Sequence, residues 1–568
     1  MTHLYSQSAW LIPLLPFISF LFLIALGKGN QLAGKLIGIS SLFLTLVLST
    51  LVLTERLDAN ATEYNHHFTW LTVGPYALQI GFEITNTIAF LLVVISAIGL
   101  LVYIYAADYL SNDERATVLF GYLSLLMFAL LGLTIADNLF MFYVLWDIAG
   151  IAAWLLITFW VDRPLSHHRL ATPTFMLIKL GDVCLLLAVV VLLFYMPDHS
   201  VNFTMIQNVF HGSGSVVTMK VAITATLLII VAIASRTFQF PFYISTPAIA
   251  AAPLPVYALV FGGMMALPAI FLVIRMLPVM EVAASLSSIA IWFAIVTMLL
   301  SALLALGTKR ASHTLIYLAM NQISFLLLGA ITGAVQATVL YSSLFVFVQT
   351  ILYLTYRYNS RWTKIAFVAA ALSYMAIPPI APFWTKSIIL QQLWEEKPSL
   401  AMLAIVASSL TFIALVRLVR HIVAPPTSDT EALERRQEPV TATVQVISLV
   451  TILVIAAWTM MEMFGLQKVG AWLEVFQYQW QEWFVSPWQQ PVVWINLVAT
   501  VLACVVGFSW KRQTQAAQES NLVEVVVERQ FYTKDILYYL LVWPYQKLGW
   551  LLITITLLLV LWYGKGLL

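Results

Sequence analysis

The chain has 568 residues, 61% of them apolar and only 10% charged, and its 28 basic residues nearly balance its 26 acidic ones. A soluble domain carries about 45–50% apolar and about 25% charged residues, and a wetted surface has no room for the surplus found here. These proportions exclude a soluble enzyme, a nucleic-acid binder and a disordered scaffold, and leave a polytopic membrane protein.

Crossing about 30 Å of hydrocarbon takes about 20 apolar residues in a helix. Runs of that kind begin near Ala9, Ile37, Ile84, Val118, Leu139, Thr174, Val221, Pro255, Ser288, Thr314, Thr338, Ile365, Ala401, Val444, Val492 and Leu537. The expectation is an all-α protein with about 16 transmembrane helices. Open strand edges in lipid would leave backbone groups unsatisfied, and the ten-residue alternating segments of a membrane barrel do not stand out. The first run, Ala9 to Leu26, has no basic stretch before it and no small-residue cleavage site after it. It reads as the first span and not as a signal peptide.

Loop charge gives the orientation. With the N-terminus external, the internal loops carry Lys28 and Lys35, Arg115, Arg163 and Arg169, then Lys309 and Arg310. Further along they carry Arg357, Arg361 and Lys364, then Arg417, Arg420, Arg435 and Arg436, and finally Lys511 and Arg512. The alternate loops hold only Arg56, Lys220, Arg275, Lys397 and Lys468. The bias favours an N-out topology; the membrane expected is the bacterial cytoplasmic (inner) membrane. Glu55 to Phe82 reads as an external loop, and Ala424 to Thr441 as a Pro- and charge-rich internal linker. Cys184 and Cys504 both lie in apolar runs, so neither a disulfide framework nor a CxxC metal site is expected. No nucleotide-binding or haem-attachment motif occurs, so the chain is expected to hold no cofactor, no metal and no catalytic centre of its own.

Ionisable residues inside spans cost at least about 2.5–3.5 kcal/mol each on insertion scales, so each marks a candidate function. Asp147 lies mid-run in LFMFYVLWDIAGIAAWLLITFW. Lys179 and Asp182, in FMLIKLGDVCLLLA, are three apart and share a helix face. Arg236 and Lys386 each sit beside prolines, in SRTFQFPFYISTPAIAAAPLP and AIPPIAPFWTKSI. Proline deletes a backbone donor and breaks a helix, and broken helices near the midplane mark ion sites in transporters. His167 and His168 read as solvated loop residues, and His313 and His421 as span ends. Trp480, Trp483 and Trp488 suit an interfacial aromatic belt.

At these residues the sequence resembles the antiporter-like membrane subunits of the proton-pumping NADH dehydrogenase, of the subunit L or chain 5 type, from about Phe68 to Arg420. ADNLFMFYVLWDIAGIAAWLL is similar to the family's ADN-L-x-x-Y-x-x-W-E-x-x-G segment, with Asp147 at the glutamate. LIKLGDVCLL resembles R-x-GD and sets Lys179 at its basic position. FPFYISTPAIAAAPLPVYALVF resembles the broken-helix segment, with Arg236 at the channel lysine. TKRASHTLIYLAMNQISF brings Lys309 to a matching basic position, and PPIAPFWTKSIIL puts Lys386 at the terminal channel lysine.

The resemblance implies two inverted five-helix repeats, each with a broken helix, plus terminal helices. The implied division is 1–110 for the N-terminal helices and external loop, 111–276 and 277–423 for the repeats, 424–441 for the linker and 442–568 for the C-terminal helices. It also implies a proton or cation path through Asp147, Lys179, Asp182, Arg236, Lys309 and Lys386. The sequence departs from the family at Ala248, Phe261, Tyr341, Phe345 and Gln349, which replace an aspartate, histidines and the central lysine. RQFYTKDILYYLLVWPYQKLG resembles the family's late segment, and the last span follows it with no room for a long lateral helix. These departures point to a hetero-oligomeric membrane complex of the DabB-like inorganic-carbon branch, with a large soluble zinc-binding partner (DabA-like). The alternative is a divergent chain 5 among the subunits of a proton-pumping NADH–quinone oxidoreductase.

Overall fold

A computed structural model describes residues 4–57, 63–74, 76–111, 113–159, 168–211, 219–245, 256, 259–260, 263–308, 310–358, 360–380, 382–424, 442–464 and 486–509. Among them the chain is helical apart from one hairpin. The helices are α1 (Leu4–Gln7), α2 (Leu11–Leu26), α3 (Gln31–Arg56), α4 (Asn86–Tyr109), α5 (Ala116–Ile135), α6 (Leu139–Thr158) and α7 (His168–Tyr195). They continue with α8 (Phe203–His211), α9 (Met219–Arg236), α10 (Ala266–Val282), α11 (Ala284–Gly307), α12 (Ala311–Ile331) and α13 (Val335–Thr355). The last are α14 (Arg361–Met375), α15 (Phe383–Glu396), α16 (Pro398–Val423), α17 (Ala442–Phe464), α18 (Ser486–Gln489) and α19 (Pro491–Ser509).

Eleven described helices are long and apolar enough to cross a membrane. The expected 16 is not reached on this measure because α10 and α14 are too short, α2 and α17 yield only shorter apolar stretches, and the run at Leu537 lies outside the described residues. Apolar side chains such as Phe22, Leu36 and Phe508 are exposed around the outside, as lipid-facing positions require. The hydropathic windows of α12 and α13 are each 94% buried, against 33% for those of α3 and α19, so α12 and α13 form the axis of the bundle. Local chemistry sets several starts. The Asn138 side chain accepts from Met141 N at the head of α6, and Ser360 and Thr363 form a capping box on α14.

The structure differs from the sequence reading at the expected external loop and at two buried arginines counted as loop charges, Arg56, which ends α3 at 3% exposure, and Arg275. Within the expected loop Glu55–Phe82, strands β1 (Tyr64–Val73) and β2 (Tyr76–Ile84) pair antiparallel, Tyr64 opposite Ile84 and Thr69 opposite Gln79. Gly74 takes the positive φ of 60° that the turn needs. The hairpin caps one end of the bundle, where Phe82 bridges Ala136 and Asn138 bridges Asn202. Arg275, expected in a loop, is inside α10 and 5% exposed.

Both proline-marked breaks are present. α9 stops at Arg236 and is followed by Phe238 at φ 55° and a 3-10 turn, Phe242–Ser245. α14 ends at Ala376 in the left-handed region (φ 53°), and the helix resumes at Phe383. Residues 425–441 of the linker before the C-terminal helices, Ala248, Phe261 and everything beyond Ser509 fall outside the described residues, as do the side chains of His167 and His168.

Candidate ion-translocation site

Three helices bring four of the sequence-marked charges together. α6 supplies Asp147, α7 supplies Lys179 and Asp182, and α9 supplies Arg236 at its last residue. The Lys179 ammonium bridges two carboxylates: it donates to Asp147 Oδ1 and lies 3.2 Å from Asp182 Oδ2. Asp182 Oδ1 in turn accepts from Arg236 Nη2 at 2.7 Å and from the Trp146 indole Nε1 at 2.9 Å. Arg236 Nη2 also donates to Trp146 O at 2.9 Å, and its guanidinium stacks 4.7 Å above the Trp146 ring. Two cations and two anions make a neutral quartet, which is what permits charges at this depth in a low dielectric.

The quartet has a dry end and an open end. Arg236 and Asp182 are each 2% exposed, whereas the Asp147 and Lys179 side chains are 31% and 26% exposed. Val144 and Ile151, one turn to either side of Asp147, are exposed apolar residues, so the carboxylate opens on the flank of α6 that faces out of the bundle. Beside Arg236 a cavity of about 10 Å³ is lined by Thr237, Phe238, Gly263, Ala319 and Ile323.

The break after Arg236 is what places its side chain. Ending the helix there turns the chain toward Gln239, whose Oε1 accepts from Ser324 Oγ at 2.8 Å on the central α12. Gly150 gives the guanidinium its room, because a Cβ there would stand 2.7 Å from Nη1 and 3.0 Å from Nη2. Gly150→Ala should therefore push Arg236 off Asp182. We expect about 1–3 kcal/mol of destabilisation, as for overpacking of a tight core, together with strongly reduced ion movement, read by thermal unfolding and transport in the same preparation.

Lys386 lies apart from the quartet, in the first turn of α15 and 1% exposed. Its Nζ has no hydrogen-bond partner and faces the Phe412 and Phe325 rings at 4.4 and 5.5 Å. The aromatic faces supply a quadrupole in place of a counter-ion. Lys309 lies outside the described residues.

Between the two breaks runs a neutral network that the sequence reading missed. Tyr341 OH donates to Gln322 Oε1, and Tyr374 OH to Leu318 O at 2.7 Å. Asn321 Nδ2 donates to Met298 O at 3.0 Å, and Thr411 Oγ1 donates to Asn321 Oδ1 at 3.4 Å. Gln349, fully buried, donates Nε2 to Leu315 O at 2.9 Å. Three amide or hydroxyl residues in the MNQIS stretch of one span were the available signal.

These features have relatives. The family described as "NADH:quinone oxidoreductase/Mrp antiporter, TM" matches residues 136–361, and "NADH-Ubiquinone oxidoreductase (complex I), chain 5 N-terminus" matches residues 70–120. The NAD(P)H-quinone oxidoreductase subunit 5, chloroplastic, of Zygnema circumcarinatum is 28% identical over 451 residues, 73% of this chain and 63% of that protein. The same subunit of Anthoceros angustus is 28% identical over 456 residues, 73% of this chain and 61% of its own. The chain thus spans about three-fifths of the length of these curated relatives. The fold is similar to a chain of the Mrp complex from Dietzia sp. DQ12-45-1b, with a TM-score of 0.69 at 16% identity over 93% of this chain and 60% of that one. It is also similar to a chain of respiratory complex I from Thermus thermophilus with bound NADH, with a TM-score of 0.67 at 16% identity over 83% of this chain and the whole of that one. The quartet on α6, α7 and α9 lies inside the first of the two matched segments. This chain is a multi-pass membrane protein that is similar, over residues 136–361, to the family described as "NADH:quinone oxidoreductase/Mrp antiporter, TM".

Proposed function

We propose that the chain is a proton-translocating subunit of a multi-subunit membrane complex, of the chain 5 type found in proton-pumping NADH–quinone oxidoreductases. One observation carries this reading: a neutral four-charge quartet sits mid-span at a broken helix, with Lys179 shared between Asp147 and Asp182. A cation shared by two carboxylates has two alternative partners, so a proton or a small displacement can move it from one to the other. Asp147 and Lys179 carry the open end of the path, and Asp182 and Arg236 its buried end. Lys309 and Lys386 continue it through the second repeat. The names of the curated relatives support the chain 5 assignment. The two breaks, after Arg236 and at Ala376–Pro382, support the two-repeat division at 111–276 and 277–423.

A partner subunit covers the open flank of α6. A partly exposed ion pair between exposed Val144 and Ile151 would otherwise meet lipid, at about 2.5–3.5 kcal/mol or more per charge. The loop charges support an N-out orientation in a bacterial inner membrane, which sets the hairpin outside.

A second reading, the DabB-like inorganic-carbon subunit with its large soluble zinc partner, is favoured by Gln349. A buried amide at the family's central lysine position cannot carry a titrating charge. Purification of the tagged full chain in mild detergent separates the two, since the respiratory reading predicts NADH dehydrogenase subunits and the other a soluble zinc protein. In deletion cells, loss of NADH-driven proton pumping without any response to CO₂ supports the chain 5 reading. Rescue of growth by raised CO₂, with NADH-driven quinone reduction intact, would transfer the chain to the inorganic-carbon branch.

A further inference from the structure

A second ionisable cluster lies outside the quartet, where the hairpin meets the bundle. Arg275 of α10 donates Nη1 to Ala136 O, and its Nη2 lies 3.4 Å from Glu83 Oε2 at the end of β2. Charge-assisted pairs close to about 2.7–2.9 Å, so this bridge is loose. Asp137, 1% exposed in the turn before α6, is held by amides and not by a cation: Asn138 Nδ2 donates to Oδ1 at 2.6 Å and Asn202 Nδ2 to Oδ2 at 3.4 Å. Gly81 of β2 makes the space for it, since a Cβ there would stand 2.2 Å from Asp137 Oδ2.

The remaining charged neighbours are Glu63, which acts on Glu83, and His67 of β1, which acts on Asp137. A buried and a partly buried acid thus share one guanidinium, and the site carries an uncompensated negative charge unless one of them holds a proton. Burial holds both carboxyls above the ordinary carboxylate range, against the opposing pull of Arg275 on Glu83 and of Asn138, His67 and Arg275 on Asp137.

The cluster is joined to the quartet by packing. Arg275 stacks 4.5 Å from the Phe203 ring. Phe203 meets Phe142 edge-on at 6.0 Å, Phe142 meets Trp146 at 5.8 Å, and Trp146 lies under Arg236. Asp137, just before α6, precedes Asp147 by ten residues, about 15 Å at helical rise. One acid group is therefore mid-span and the other at the hairpin end.

We propose that Glu83 and Asp137, beside Arg275, form a second proton-exchange site at the hairpin end, whose protonation state is coupled to the quartet through the packed rings of Phe203, Phe142 and Trp146. The inference rests on the proton-translocation reading above. The step is a plain protonation: a carboxylate oxygen takes a proton from water on the hairpin side, Arg275 swings toward the acid that stays ionised, and the proton is later released.

The test uses the whole complex in proteoliposomes, with pH varied on the hairpin side alone, for wild type, Glu83→Gln, Asp137→Asn and the double variant. Each single variant should slow translocation about tenfold and flatten its dependence on hairpin-side pH, a response that a merely structural contact would not give. Infrared difference spectra between acidic and neutral pH should lose a protonated-carboxyl band in the double variant, a readout independent of turnover. Wild-type rates and an unchanged pH profile in the single variants, or a persisting band in the double variant, would overturn the proposal and leave the translocation reading standing. A wild-type complex that moves no protons under any gradient would overturn that reading instead.

Discussion

Asp182→Asn should be the most damaging single substitution in the bundle. Its carboxylate accepts from Arg236 and Trp146 and pairs with Lys179. Asparagine can offer one oxygen to the same donors but no charge, so Arg236, 2% exposed, is left without its counter-ion. Removing one member of a buried ion pair costs about 3–5 kcal/mol, mostly as the uncompensated charge that remains. The expected result is a large drop in thermal stability and in the amount of assembled protein. Replacing both partners, as Asp182→Leu with Arg236→Met, should recover much of the stability without any transport. A double variant no more stable than Asp182→Asn would show that the ion pair is not what the single variant lost.

Lys386 should show the opposite separation of stability from function. Its ammonium is buried against Phe412 and Phe325 without a hydrogen-bond acceptor. It lies near the positive end of α15, where the helix dipole adds about half an elementary charge of the same sign. Exchange for an apolar side chain of similar shape, Lys386→Met, relieves both penalties and should hold or raise the unfolding temperature. Transport should be blocked, since no other described side chain replaces the charge in that pocket. Lys386→Arg should restore it at best in part, because a guanidinium stays charged throughout. Wild-type transport in Lys386→Met would take the residue off the path.

Much of this architecture is legible in the sequence because lipid imposes a simple rule on backbone groups. Every apolar run that begins in the described residues falls on a helix, and the prolines near Arg236 and Lys386 mark real breaks. Asp147, Lys179, Asp182 and Arg236 stand out singly, since an ionisable residue within a span is conspicuous. That Trp146 and Gly150 complete their site is a property of how α6, α7 and α9 meet, and no periodicity encodes it. The hairpin was missed although β2, YALQIGFEI, alternates over its nine residues, because a search for apolar runs of about 20 residues passes over a strand of that length. Arg275 was hidden by counting it as loop charge, although it is buried among aromatic rings.

The central claim is that protons move through this chain by way of the quartet, and Asp147 is its most informative member. Being 31% exposed, its carboxylate adds less to folding than Asp182 does, so Asp147→Asn should express and assemble with its partners. Proton translocation by the purified complex in proteoliposomes, wild type beside Asp147→Asn, is the measurement that decides. The account predicts protonophore-sensitive translocation in wild type and its loss in the variant, with subunit composition unchanged. Translocation at the wild-type rate in assembled Asp147→Asn complex would contradict it.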